Sequence, residues 1–418
     1  MSESTDNIAY NDDELAPPEW LDSNFITGVL SNYEKAPELQ VTDLSFSPAC
    51  LKGEHYASIM FRAKVKYSTE NGDFEKSLII KTMPEEEGHK KDLIGSSPLF
   101  ETEVGMYSKV LPEFERILRQ AGDHTKLCAD CIYHSLEPRK ILIFEDLKES
   151  GYFVVRNREV SQEEVDRAFF KLAKWHAASL KVQEEQPHFL EEYTNGLFEM
   201  PQIMQEPFMK TGMPFFVDLL TQEPELNKYK SYFESIKPDF LERLTAEWKD
   251  LRDNPKVDQY RVLCHGDLHL RNIMFQYEEG TFKDCMLLDF QISHLFPLTT
   301  DLIYSIYMLM EPEQRGRFYE DFIYYYIFVL TNTLEEIGYK GEMPTVEGLY
   351  LNKHKYYEFF FLTTFLPLMW ALRETSVDFG ELLQDDERRR QCYFSKGYIK
   401  DVQRKLLTLD ICGYFKDV

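Results

Sequence analysis

Basic residues are in short supply: 47 Lys plus Arg stand against 72 Asp plus Glu in 418 residues, a formal net charge of −25. That sign is wrong for sheathing a phosphate backbone or an anionic membrane surface, so nucleic acid is not expected as a partner. Cysteine is sparse, with seven residues in an odd count that suits no disulfide framework. There is no Asn-x-Ser/Thr sequon, and the opening MSESTDNIAYNDDE has neither the basic nor the apolar part of a secretion signal. A reducing, cytoplasmic location is expected. Long apolar runs are missing too: the longest, Tyr356 to Leu372, is interrupted by Glu358, two Thr and Pro367, which predicts a buried aromatic helix and no membrane span. Internal repeats and low-complexity tracts are absent. What is present is 43% hydrophobic residues, enough for one large two-lobed domain or two ordinary ones. Such an acidic chain holds a polyphosphate only where a few Lys, Arg, backbone N–H groups or metal ions reverse the field locally.

The first sixteen residues are polar, acidic and without period; Pro17 and Pro18 then predict the opening of a helix with Trp20, Leu21, Phe25, Ile26, Val29 and Leu30 on one side. From Ile59 the period becomes two, with Ile59, Phe61, Ala63, Val65 and Tyr67 facing one way. Asn71-Gly72-Asp73 supplies a tight turn and KSLIIKTM returns, predicting a β-hairpin. Leu99, Glu103, Met106, Tyr107 and Val110 recur at helical spacing, and apolar strands follow at Cys131–Leu136 and Lys140–Leu147. Ser161-Gln162-Glu163-Glu164 is a capping-box signature for a long helix on whose apolar stripe His176 reads as a core histidine. The remainder reads as helical except for Arg261 to Phe290, where strand, loop, strand, turn and strand follow in quick order. The organisation expected is an N-terminal extension over 1–40, a small-sheet lobe over 41–147 and a mainly helical lobe over 148–418.

The chemistry concentrates in His265-Gly266-Asp267-Leu268-His269-Leu270-Arg271-Asn272 and in Asp289 of LLDFQ. Phosphoryl transfer needs a carboxylate to accept a hydroxyl proton and oxygen ligands that hold Mg²⁺ against the phosphates. Asp267 fits the first role, Asn272 and Asp289 the second. Turn-forming alone explains an isolated HGD, but not the Asn five residues on with a second Asp ending an apolar strand. A metal site on His265 and His269 has no helix or third ligand behind it. The mechanism calls for two more parts, a strand Lys and a helix acid that holds it. Lys81 ends the apolar run LIIK, and Glu103 shares a face with Leu99, Met106, Tyr107 and Val110, whereas Glu101 points to water. Cys128 and Cys131 have redox or metal spacing but no second pair. The aromatics Tyr356, Tyr357, Phe359, Phe360, Phe361, Phe365 and Trp370 suit a core, or a wall for a flat, apolar, hydroxylated molecule.

The segments KGEHYASIMFRAKVKY, LIIKTMP, LFETEVGMYSKVLPEFE, ILIFEDL, WHAASL, LCHGDLHLRNIMF, LLDFQ and TTDLIYSIY, in this order, resemble the ecdysteroid kinase-like family, a choline-kinase-like branch of the protein-kinase-like fold. The resemblance implies an α+β bilobal fold, a small antiparallel-sheet lobe and a large mainly helical lobe with ATP between them. It implies that the turn around Gly53, up to Ser58, covers the phosphates, and that the backbone of the Glu145-Asp146-Leu147 hinge holds the adenine. Asp301, with His265, would steady the catalytic loop, although helix capping alone also accounts for Asp301. Many family members carry Trp where this chain has His269, a residue placed to contact the γ-phosphate or to pack the loop. Gln291 after Phe290 removes the glycine of the protein-kinase switch, and no APE-type segment follows, so protein substrates are not expected. The function implied is ATP- and Mg²⁺-dependent phosphorylation of a small hydroxylated molecule, a steroid such as an ecdysteroid or another lipophilic alcohol. The alternatives are a choline- or aminoglycoside-type kinase on a cationic substrate and a non-catalytic nucleotide-binding protein; no protein partner is evident.

Overall fold

The computed structural model describes residues 14–50, 58–84, 97–155, 158–256, 259–352, 354–374 and 379–416. Chain contacts divide it into two compact units, one of residues 1–155 with 271–291 and one of residues 156–270 with 292–418.

The first unit is built on a five-stranded antiparallel sheet of order β1-β2-β3-β5-β4, with β1 Gln40–Pro48, β2 Ile59–Thr69, β3 Gly72–Thr82, β4 Cys131–Ser135 and β5 Ile141–Glu145. The alternation read from Ile59 is the burial pattern of β2, whose Phe61, Ala63 and Val65 are almost wholly buried. They pack with Leu78, Ile80 and Ile143 and with Ile26, Val29 and Leu30 of helix α1 (Ser23–Tyr33). Each large apolar side chain buried in this way contributes about 1.5–3 kcal/mol. The hairpin turns earlier than Asn71-Gly72-Asp73: Thr69 pairs with Gly72, so Glu70 and Asn71 form the loop and Gly72, at φ +126°, opens the returning strand. Helix α1 likewise begins beyond the two prolines. Asp22 caps it by accepting the Phe25 N–H at 2.8 Å, and residues 17–22 form turns instead. β1 is an edge strand with no fully buried residue; its half-buried Leu44 and Phe46 alternate with exposed Asp43, Ser45 and Ser47, a short period-two signal.

Helix α2 (Leu99–Gly105) passes through a π-helical turn, Met106–Val110, into α3 (Leu111–Gln120). A second sheet in this unit joins Tyr152–Phe153, Ile273–Glu278 and Thr281–Leu287, all antiparallel.

The second unit is mainly helical. Its long helix α4, Gln162–Glu185, opens on the predicted capping box of Ser161 and Glu164. It packs against a two-stranded antiparallel ribbon, Arg261–Cys264 with His294–Pro297, and the buried Trp175 indole donates to the Leu263 carbonyl. From the ribbon the chain enters α5 (Leu298–Leu309) and then α6 (Pro312–Glu336). The aromatic segment predicted as one helix runs as Lys355–Phe360, a π-helical turn Phe361–Phe365 and Leu366–Glu374. Among the described residues no helix is long and apolar enough to cross a membrane. The α+β class expected from the sequence is therefore the one observed.

Candidate active site

In the first unit, Lys81 stands on β3 next to the strand's end, on the face opposite the core residues Leu78 and Ile80, and its ammonium is buried between two carboxylates. Glu103 of α2 lies at 2.6 Å and Asp289 at 2.9 Å. Glu103 is buried with the apolar face of its helix, while Glu101 turns outward and pairs with Lys140 at 2.6 Å. Burial works against the Lys81 charge, but the Asp289 and Glu103 carboxylates outweigh it and hold the ammonium above the usual lysine range. Glu103 moves the other way from a normal salt-bridged acid. Burial and the neighbouring Asp289 push it up to about 7 against the pull of Lys81. Both directions follow from one count, since two carboxylates share a single buried cation.

Asp289 lies two residues beyond the strand Thr281–Leu287 at φ +62°, a left-handed conformation that costs a non-glycine residue of order 1–3 kcal/mol. The strand ladder fixes its neighbours. Ile273 pairs with Leu287, and the Leu288 N–H donates to the Asn272 carbonyl at 2.9 Å, so Asn272 and Asp289 flank one end of the same ladder. Lys81 engages one Asp289 oxygen, Oδ1. A carboxylate and an amide oxygen are hard donors of the kind Mg²⁺ takes, and these two residues, neighbours at one end of the ladder, fit such an ion as part of a shell completed by water and phosphate. Among the described residues no group of three or more His, Cys, Asp or Glu forms a ready-made cage.

Of the remaining nucleotide-binding residues expected in this unit, Gly53 lies outside the described residues, and Ser58 is buried at the entry to β2. Glu145 ends β5 with its carboxylate taken by Lys126 at 2.6 Å and by the Asp130 N–H at 2.8 Å. Asp146 accepts from Arg62 at 2.6 Å and Ser77 at 2.8 Å and caps the short turn Leu147–Ser150. Leu147 is the first residue of that turn, where a backbone N–H has no partner within the turn.

In the second unit, Asp267 follows the ribbon strand Arg261–Cys264 through Gly266, which sits at φ +83°. A β-carbon on Gly266 would meet the Ile292 carbonyl oxygen at 2.5 Å, so only glycine fits there. The loop hangs on Asp301 of α5. Its carboxylate accepts the His265 N–H at 2.7 Å and the Gly266 N–H at 3.0 Å, and meets His176 Nε2 at 3.1 Å. The capping reading of Asp301 is overturned: α5 begins at Leu298 after Pro297, and the aspartate lies inside the helix with its side chain spent on the loop. His176 is not simply a core residue either, because its other nitrogen meets the Tyr326 hydroxyl at 2.5 Å. His265 is fully buried; its Nδ1 accepts the Asp267 N–H at 3.3 Å, and its carbonyl accepts from Ser293 at 3.3 Å.

Asp267 keeps its side chain 23% exposed. The Tyr304 hydroxyl donates to its Oδ1 at 2.5 Å, and His269 Nε2 stands 3.6 Å from Oδ2. Burial alone would raise its pKa; His269, the Tyr304 hydrogen bond and His265 reverse this and hold the carboxyl below the usual range. Asp267 is thus an ionised carboxylate with one oxygen engaged by a phenol. Tyr304 escaped the sequence reading, although its place three residues after Asp301 on one helical face was a usable signal. A small cavity of about 20 Å³ beside Gly266 and Asp301 is walled by Phe198, Trp248, Tyr304, Tyr357 and Phe365 among others. It admits a methyl- or water-sized group.

Cys128 and Cys131 are both free, and burial pushes both thiols up, Cys131 to about 12, which suits neither redox nor metal chemistry.

A comparison with curated protein sequences returns no significant match. Among solved structures, the spectinomycin phosphotransferase APH(9)-Ia in complex with ADP and spectinomycin is 13% identical, covering 92% of this chain and 99% of its own, with a TM-score of 0.39. The choline kinase LicA from Streptococcus pneumoniae is 15% identical over 93% of this chain and 98% of its own, with a TM-score of 0.41. Both are distant likenesses. The model of the ecdysteroid kinase-like family matches residues 52–339, more than two thirds of the chain. The chain belongs to the ecdysteroid kinase-like family.

Proposed function

We propose that this protein is an ATP-dependent small-molecule kinase that phosphorylates a hydroxyl of a steroid or another lipophilic alcohol. The observation that carries the reading is the buried Lys81 held by Glu103 and Asp289. A buried ion pair is poor value for stability alone, because the desolvation of the charges offsets most of their attraction. A lysine kept charged beside a carboxylate is, however, what a nucleotide phosphate needs for orientation.

In this reading Lys81 orients the phosphates and Glu103 keeps Lys81 in place. Asn272 and Asp289 would hold Mg²⁺, which when bound neutralises charge on the phosphate oxygens. Ser58, at the entry to β2, would face the phosphates, and the backbone at Glu145 and Leu147 would meet the adenine. Asp267 takes the acceptor's hydroxyl proton as the new O–P bond forms on the γ-phosphorus and the bond to the β-phosphate oxygen breaks, releasing ADP. Its depressed pKa keeps it ready as a base at neutral pH. His269, beside Asp267, faces the γ-phosphate, and His265 and Asp301 set the loop.

The lipophilic acceptor is supported by the aromatic character of the residues around Gly266, among them Phe198, Trp248 and Tyr304, although the cavity they leave takes no more than a methyl-sized part of it; Asp301 beside them is occupied by the loop. A cationic acceptor of the choline or aminoglycoside type would be better served by unengaged carboxylates. A cytoplasmic setting belongs to the same proposal and is supported by seven free cysteines. The test is an ATP-dependent mass-shift screen against ecdysteroids, choline and hydroxylated xenobiotics. A phosphorylated steroid is expected, and Asp267→Asn is expected to lower turnover about 10²- to 10⁴-fold while leaving ATP binding intact. Undiminished turnover in that variant would sink the assignment of the base.

A further inference from the structure

We infer that Tyr304 is a positioning residue for the general base: its hydroxyl holds one oxygen of Asp267 and so sets the orientation of the carboxylate. The inference rests on the reading of Asp267 as the base. A carboxylate turns easily about its last torsion, which has broad minima, so an aspartate with one free rotor presents no fixed lone pair. Here the Tyr304 hydroxyl pins Oδ1 at 2.5 Å. The tyrosine is itself fixed. It is buried, and Phe361 and Phe365 meet its ring edge-on at 5.9 and 6.1 Å with interplanar angles of 77° and 78°.

The placement on α5 adds to this. Asp301 and Tyr304 lie one turn apart on the helix, the first holding the loop's backbone at His265 and Gly266, the second its reactive side chain. One rigid element therefore sets both the path of the loop and the orientation of the carboxylate, and small errors in such orientation are costly in rate. Within this unit the titratable groups facing Asp267 are His265 and His269 from its own loop and Tyr304 from α5; Asp301 and, from the Lys355–Phe360 segment, Tyr357 face Tyr304. Burial and the Asp267 charge push the Tyr304 phenol well above its ordinary range, so it keeps its proton and passes none on.

The test is Tyr304→Phe in the full chain, which keeps the ring and its packing and removes only the donor. With Mg-ATP and ecdysone, kcat should fall roughly 10- to 100-fold with the KM for ATP within about twofold. The acidic limb of the kcat–pH profile should move to higher pH, since the lost donor had favoured the ionised carboxylate. In parallel, the Asp267 carboxylate is titrated by infrared spectroscopy without substrate, its band assigned by its loss in Asp267→Asn. The midpoint should rise by roughly one pH unit in Tyr304→Phe, the equivalent of one hydrogen bond. An unmoved limb and an unmoved band, with only thermal stability lowered, would make Tyr304 a core residue and overturn the inference. If the wild-type protein transfers no phosphoryl group to ecdysone, the proposed substrate class has failed, and the infrared midpoint alone decides the role of Tyr304.

Discussion

Replacing Lys81 by Met removes the cation and keeps most of the apolar stem. It leaves Glu103, 3% exposed, and Asp289, 26% exposed, facing each other across the gap. Breaking a buried pair by deleting one partner costs roughly 3–5 kcal/mol when the orphaned charge persists. In a unit of this size that corresponds to a fall in melting temperature of roughly 6–20 °C. The loss must depend on pH. Glu103 has its folded-state pKa raised to about 7 from an unfolded value of 4.5, so its protonated form favours the folded state. Such a group's contribution is fully present below the unfolded value and is lost as pH rises through the folded one. Without the ammonium Glu103 rises further, so the deficit of Lys81→Met should be largest near pH 8 and shrink towards pH 5.5, where Glu103 carries a proton. There roughly 1–3 kcal/mol is expected, for the hydrogen bonds lost with the ammonium. Scanning fluorimetry of wild type, Lys81→Met and Lys81→Met/Glu103→Gln at the two pH values measures this. The double variant should recover most of the stability and none of the nucleotide affinity. A deficit identical at both pH values, or a double variant no more stable than the single, would refute the shared-cation account.

Asp301→Ala should orphan the buried N–H groups of His265 and Gly266 and cost about 1–3 kcal/mol for each group left unpaired, read as a lowered melting temperature together with lost turnover. Gly266→Ala forces a β-carbon to within 2.5 Å of the Ile292 oxygen at a positive φ, and the expected outcome is a protein that retains nucleotide binding by calorimetry but loses phosphoryl transfer. Asp289→Asn should raise the Mg²⁺ concentration needed for half-maximal activity by about tenfold or more, measured by titration at fixed ATP; an unchanged requirement would remove Asp289 from the metal site.

The parts of the fold that were legible in the sequence are those whose signal is local. The β2–β3 hairpin alternates because one face is core, and α4 announces itself through Ser161 and Glu164. β1 carries only a short alternation, Leu44 and Phe46 against Asp43, Ser45 and Ser47, easily passed over on an edge with no fully buried residue, and the ribbon strand His294–Pro297 has four residues, too few to show a period. The candidate site divides in the same manner. Lys81 and Glu103 stood out as charges on apolar faces. The partners of His176 did not, because Asp301 and Tyr326 lie more than a hundred residues further along the chain and an apolar stripe does not reveal which polar group will meet it. The start of α1 was misplaced for a related reason: proline permits a first turn, but the side-chain acceptor of Asp22 decides where the unpaired N–H groups are met.

The π-helical turn at Met106–Val110 bears on how this helix tolerates insertion and deletion. A π turn is an α-helix carrying one surplus residue, and each residue advances the helical face by about 100°. The surplus here falls between Glu103, which serves Lys81, and the buried Phe114, Ile117 and Leu118 of α3. Removing a single residue from 106–110 would restore regular hydrogen bonding and improve the helix as a helix, yet it would turn α3 away from its packing or swing Glu103 off the lysine. In this segment the length of the chain is itself a functional constraint: conservative substitution is tolerated more readily than a one-residue gap.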